Sequence, residues 1–153
     1  NLDFGTVSEW NLNFLNNEVK DLLSNPKKGA SAIMIKDNKI LLTLRSNNCS
    51  SYPNHWTIPG GKEELGETPF ENVIREVKEE VNLDFMPTSL FKTYNWNGMK
   101  LSRFLGAFSG KIKLQESEVT KYNFFTYNET LELDLAFDYK EVINILFNQK
   151  LIK

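Results

Sequence analysis

Cysteine and histidine occur once each, as Cys49 and His55. A single thiol excludes a disulfide framework and a cysteine-based zinc site within one chain. The scarcity of cysteine fits a reducing compartment. No apolar run approaches the ~18 residues needed to cross a membrane. No charged-then-apolar signal segment opens the chain, so a cytoplasmic protein is the expectation. There is no basic surplus either. The net charge of -2 gives no general reason to expect a nucleic-acid partner held by a basic surface. No internal repeat, low-complexity tract or linker divides the chain. What remains is 153 residues, 41% hydrophobic and 25% charged, which suits a globular unit with its own core.

The acidity is concentrated in one place. Gly61–Leu83, GKEELGETPFENVIREVKEEVNL, carries seven acidic residues against three basic ones. The segment reads as a glycine-rich loop entering a short helix. Thr68 is a good N-cap, Glu71 completes a capping box, and Pro69 occupies the first helical position. Phe70, Val73, Ile74, Val77 and Val81 form an apolar stripe at helical spacing. Asn82 suits a left-handed C-cap. Glu76, Glu79 and Glu80 fall on another side, within an arc of roughly 100°. Like charges this close repel by about 0.2–0.5 kcal/mol per pair on an exposed helix, a cost that a bound cation would offset. Gly60, Gly61 and Gly66 allow the preceding backbone to approach a ligand closely.

The remaining chain is expected to supply a scaffold. Residues 1–27 read as an N-terminal extension, with a helix over about Glu9–Leu23 that packs on the domain edge or serves dimerisation. Residues 28–153 read as the domain proper. Ala30–Lys36 and Lys39–Arg45 are expected to be strands joined at Asp37-Asn38, and Trp56–Ile58 a short strand. Leu90–Trp96 and Met99–Phe108 form a hairpin about Asn97-Gly98. Lys111–Leu114 is a possible edge segment, Glu116–Val119 an acidic loop, Tyr122–Phe125 a short aromatic strand, and Glu129–Leu133 a helical turn at best. A C-terminal helix covers Tyr139–Phe147, with Val142, Ile143, Leu146 and Phe147 inward. This order argues an α+β domain, a mixed sheet covered by helices on both faces.

Glutamates without nearby histidine or cysteine make a hard-oxygen site, better suited to Mg²⁺ or Mn²⁺ than to zinc. Such ions commonly bridge carboxylates to phosphates and activate water. On the glutamate spacing alone, a solvated acidic face is the plain alternative. The whole pattern is more specific. Gly61, five residues, Glu67, seven residues and then Arg75-Glu76-Val77-Lys78-Glu79-Glu80-Val81-Asn82-Leu83 resembles the Nudix box. That pattern is G-x5-E-x7-R-E-U-x-E-E-x-G-U, with U a bulky aliphatic residue. Asn82 alone departs from it, standing where the family has glycine, and asparagine also tolerates the left-handed conformation. Trp56–Gly61 resembles the usual entry to the box, and Glu118–Phe125 is similar to the acidic loop and aromatic strand of MutT-like members. The resemblance spans about Lys28–Phe147.

The resemblance implies the Nudix fold, an α/β/α sandwich around a mixed sheet. It also implies metal-dependent hydrolysis of a nucleoside diphosphate linked to another group. Glu76, Glu79 and Glu80 would be metal ligands, with the Gly60 carbonyl, for Mg²⁺ or Mn²⁺. Arg75 would orient a glutamate by a charge-assisted hydrogen bond, and Glu67 would anchor the loop or hold a metal through water. The general base would be Glu79 first or Glu118 second, with Glu116 the rival in the same loop. Arg45 and Lys62 are candidates for meeting phosphate. Tyr94, Trp96 and Phe104 would either stack on a base or sit in the core. Asp138 stands where some MutT-like members read the base. His55 and Cys49 are expected to be loop residues.

The partner would be a small-molecule nucleotide, with no nucleic acid or membrane, for a monomer or homodimer. The leading substrate is a nucleoside triphosphate, with nucleotide sugars, dinucleoside polyphosphates or capped RNA as alternatives. The tyrosine or proline that marks the dinucleoside-polyphosphate and ADP-ribose subfamilies is not evident at its usual distance. A nucleotide-sensing module without catalysis is a further alternative.

Overall fold

The computed structural model describes residues 28–153, so the helix expected over Glu9–Leu23 lies outside the described residues. The chain first forms β1 (Lys28–Ile33), passes through Met34, and continues as β2 (Ile35–Lys36). Asp37 and Asn38 have φ values of 53° and 63°, the left-handed pair of a tight hairpin turn, and return the chain as β3 (Lys39–Arg45). The single strand expected over Ala30–Lys36 is therefore two. The break matters, because β1 and β2 belong to different sheets.

Two short strands follow, β4 (Trp56–Thr57) and β5 (Gly60–Lys62), and then helix α1 (Pro69–Val81). The long hairpin β6 (Asp84–Trp96) and β7 (Met99–Ser109) turns on Asn97 and Gly98, both at positive φ. β8 (Val119–Phe125), α2 (Tyr127–Thr130) and α3 (Tyr139–Asn148) complete the described chain. One sheet has the order β5-β1-β7-β6, with β1 and β7 parallel and the other pairs antiparallel. In the other, β3 pairs with β2, β4 and β8, all antiparallel. Lys111–Leu114 forms no strand.

Strand alternation divides the interior into two cores. Ala30, Ala32 and Met34 join Val73, Val77 and Val81 of α1 in one. Ile33, Ile40 and Leu42 join Val142, Ile143 and Leu146 of α3 in the other. The result is an α/β/α sandwich. Each fully buried valine of α1 contributes about 1.5–3 kcal/mol of apolar burial. The stripe read from the sequence is wider than the face that packs: Phe70 and Ile74 of α1 and Phe147 of α3 are exposed.

Candidate active site

The glycine turn is held by what approaches it. Gly60 and Gly61 form part of β5 and pair with Ser31 and Ala30 of β1. A Cβ on Gly60 would strike the backbone of Ala30 and Ser31, and one on Gly61 would run into the Glu76 carboxylate. Glycine is required here for close packing of strand on strand and of helix side chain on strand. Asn72 of α1, buried, fixes the turn: its Nδ2 donates to the carbonyls of Gly61 and Lys62 at 3.3 Å each.

The helix caps follow the sequence. Thr68 and Glu71 exchange both hydrogen bonds of a capping box, Pro69 opens the helix, and Asn82 ends it at φ 63°. Within this frame Arg75 is a hub. Its Nε and Nη2 donate to Glu67 at 2.6 and 2.9 Å, Nη1 to Glu76 and Glu79 at 3.0 Å each, and Nη2 also to the Lys62 carbonyl at 3.0 Å. The guanidinium pulls the Glu67 carboxyl below its ordinary range. Glu67 in turn accepts from the Glu64 backbone N–H at 2.7 Å, closing the loop before the helix.

The three box glutamates are not equivalent. Glu79 is half exposed at the rim, on Arg75. Glu76 is mostly enclosed, and burial raises its pKa despite the adjacent Arg75. Glu80 is buried beside the Thr43 hydroxyl, which donates at 3.4 Å. Burial pushes its pKa to about 8, with the charges of Glu76 and Glu118 adding to the shift. Among the described residues no three carboxylate, imidazole or thiol side chains stand together as a ready-made cage. The reason is visible in the contacts: Arg75 draws Glu76 and Glu79 toward itself while Glu80 leans on Thr43. The donor set nevertheless fits a hard divalent cation, since Glu80 is a buried carboxylate that also feels the negative charges of Glu76 and Glu118.

Glu76 and Glu80 open onto a cavity of about 460 Å³. Glu76, Glu80, Glu118, Arg45, Lys62 and the Gly60 backbone line it, and Glu79 does not. Arg45 Nε donates to the Ser51 carbonyl at 2.9 Å, and its guanidinium lies 5.5 Å from the Phe137 ring centre. Aromatic side chains also line the cavity. Trp96 meets Phe137 edge-on at 5.2 Å, and Phe137 meets Tyr139 at 5.8 Å. Phe137 has φ 52°, a left-handed conformation that is costly for a bulky side chain and that aims its ring into this wall. Of the expected base-stacking residues, Trp96 lines the cavity, whereas Phe104 is buried against Phe70 on the α1 side. His55 packs on Tyr52, its Nδ1 2.8 Å from the Pro53 carbonyl, and Cys49 lies at the cavity wall among Ser46 and Glu118 contacts.

Asp138 is buried and fully engaged. Its Oδ1 accepts from Arg103 Nε at 3.1 Å and Nη2 at 2.8 Å, and its Oδ2 accepts from Lys92 at 2.9 Å. Arg103, Thr43, Asn72 and Phe137 are site residues that the sequence reading missed. A charged residue inside the otherwise apolar and small-residue run Leu101–Ser109 was the one signal that pointed to Arg103.

Comparison with known proteins gives the family. A NUDIX domain model matches residues 25–145. An ADP-ribose pyrophosphatase of Methanocaldococcus jannaschii is 33% identical over 129 residues, covering 80% of this chain and 73% of that protein. An 8-oxo-dGTP diphosphatase of Escherichia coli is 40% identical over 57 residues, 37% of this chain and 43% of that protein. The MutT NUDIX hydrolase structure from Burkholderia pseudomallei superposes with a TM-score of 0.67 at 22% identity, covering 79% of this chain and 98% of that one. The chain belongs to the Nudix hydrolase family.

Proposed function

We propose that this chain is a divalent-metal-dependent pyrophosphohydrolase that cleaves a nucleoside diphosphate linked to another group, with a nucleoside triphosphate as the leading substrate. The observation that carries this reading is one cavity lined by Glu76, Glu80 and Glu118 together with the aromatic side chains of Trp96, Phe137 and Tyr139. Glu76, Glu79 and Glu80, with the Gly60 carbonyl, would hold Mg²⁺ or Mn²⁺. A bound ion of this kind supplies charge neutralisation for the phosphates and a more acidic water. Arg75 orients the carboxylates. Lys62 and Arg45, both on the cavity wall, meet phosphate oxygens. The base that takes the proton of the attacking water is drawn from Glu79 and Glu118, and Glu118 is supported by facing the cavity.

A second reading, hydrolysis of ADP-ribose, is favoured by the name of the Methanocaldococcus jannaschii relative, which matches most of both chains. One panel separates the two. Nucleoside triphosphates should release a monophosphate and pyrophosphate in Mg²⁺ or Mn²⁺, whereas ADP-ribose would release AMP and a sugar phosphate. Glu118→Gln and Glu79→Gln, assayed beside the parent, should leave nucleotide binding intact while one of them removes turnover. Absence of turnover of any nucleoside diphosphate derivative at high enzyme would refute the hydrolase reading. Binding without turnover by the parent would favour a nucleotide sensor.

A further inference from the structure

Arg103 is 2% exposed yet lines the cavity. Its place is set by strand register. Gly60 pairs with Ser31, and Ser31 pairs with Arg103, so the three stand side by side across β5, β1 and β7. Two strand spacings, roughly 10 Å, separate Arg103 from the glycine turn. That is the order of distance between a nucleotide's phosphates and the edge of its base.

The side chain is immobilised. Nε and Nη2 donate to Asp138, Nη1 donates to Ser31 Oγ at 3.3 Å, and the guanidinium lies 4.5 Å from the Tyr139 ring centre and 5.9 Å from that of Phe137. A guanidinium has five N–H groups and no acceptor. Three are accounted for by these bonds, leaving one on each terminal nitrogen. Asp138 has one oxygen on Arg103 and the other on Lys92. Arg103 therefore offers the cavity donors only, one N–H on each terminal nitrogen, with its carboxylate partner already engaged.

We infer that Arg103 is a specificity-determining residue that selects a nucleobase edge presenting two adjacent acceptors, with Asp138 and Ser31 holding the fork and Phe137 and Trp96 flanking the ring. Guanine offers O6 and N7 in this way, the pairing for which arginine is best suited. Cytosine offers O2 and N3. Adenine opposes its N6 amine to the fork, and uracil interrupts its two carbonyl oxygens with N3–H. The inference rests on the nucleotide reading above and disfavours a substrate that carries adenine.

Binding of nucleoside monophosphates to the whole chain, followed by calorimetry without metal, tests this independently of hydrolysis. GMP or CMP should bind about 10-fold or more tighter than AMP and UMP. Comparing GMP with CMP identifies which acceptor pair is read. Arg103→Lys keeps the charge, loses the fork, and should reduce that preference to near unity while its melting temperature shows a folded protein. Arg103→Gln, whose amide both donates and accepts, should do the same by raising the affinity for AMP. Equal affinity for all four monophosphates in the parent, or an unchanged preference in either folded variant, overturns the inference. If the panel of nucleoside diphosphate derivatives shows no turnover while GMP or CMP is still selected, the hydrolase reading fails and this one stands.

Discussion

Glu80 shows most sharply what one carboxylate can ask of its surroundings. It is buried, its neighbours Glu76 and Glu118 are acidic, and its pKa is pushed up from 4.5 to about 8. The folded state therefore holds this proton more tightly than the unfolded state does. Below about pH 4.5 both states are protonated and the group costs nothing. As pH rises from there toward 8 the unfolded chain ionises first, and stability falls by an amount of order a few kcal/mol. Urea unfolding in EDTA at a series of pH values should show this decline, and Glu80→Gln should flatten it. Saturating Mn²⁺ should also reduce it, because a cation compensates the buried charge. At the neighbouring hub, Arg75→Lys retains charge but loses the fork shared among Glu67, Glu76 and Glu79. Mn²⁺ affinity, read by electron paramagnetic resonance, should weaken by about 10- to 100-fold. That Arg75 orients a glutamate was expected from the resemblance to the Nudix box, and its bonds to Glu67, Glu76 and Glu79 stay within one loop and one helix. Thr43 meets Glu80, and Arg103 meets Asp138, across 37 and 35 residues. No local period carries such a pairing, and it stayed out of view until strands were placed side by side.

Elements with local end signals were the easiest to read. Helix α1 begins at Thr68 because two side chains close the first turn, and ends at Asn82 because asparagine accepts the left-handed backbone. Thr68→Ala should cost about 1 kcal/mol of unfolding free energy. Asn82→Ala should cost a similar amount, since alanine is strained at positive φ. Asn82→Gly should be nearly neutral, trading relief of that strain against the 3.2 Å bond from Nδ2 to the Lys111 carbonyl. Equilibrium urea unfolding resolves these differences, and a large loss in Asn82→Gly would contradict the cap assignment. The hairpin turns at Asp37-Asn38 and Asn97-Gly98 were legible for the same local reason. The strand at Gly60–Lys62 was not: glycine and proline there signal a loop, and only the antiparallel pairing with β1 makes it a strand. Helical spacing likewise marked Phe70 and Ile74 as inward, although the sheet covers only the arc of Val73, Val77 and Val81.

At the scale of the whole molecule, Asp138 ties β6 and β7 to the start of α3 through Lys92 and Arg103. Removing this carboxylate leaves two cations facing one another in a low-dielectric wall. Asp138→Ala should therefore destabilise the fold by roughly 3–5 kcal/mol, measurable as a lowered urea midpoint, and more than Lys92→Ala does. The sandwich itself was legible from the order of elements, but the division into two sheets was not, because it depends on the break at Met34 between β1 and β2. That residue has a mechanical consequence. One continuous segment, Lys28–Lys36, passes from one sheet into the other, and its Ala30 lines the cavity. A strand shared in this way should tie the fates of both sheets, so amide exchange in β1 and β3 should report a single opening event.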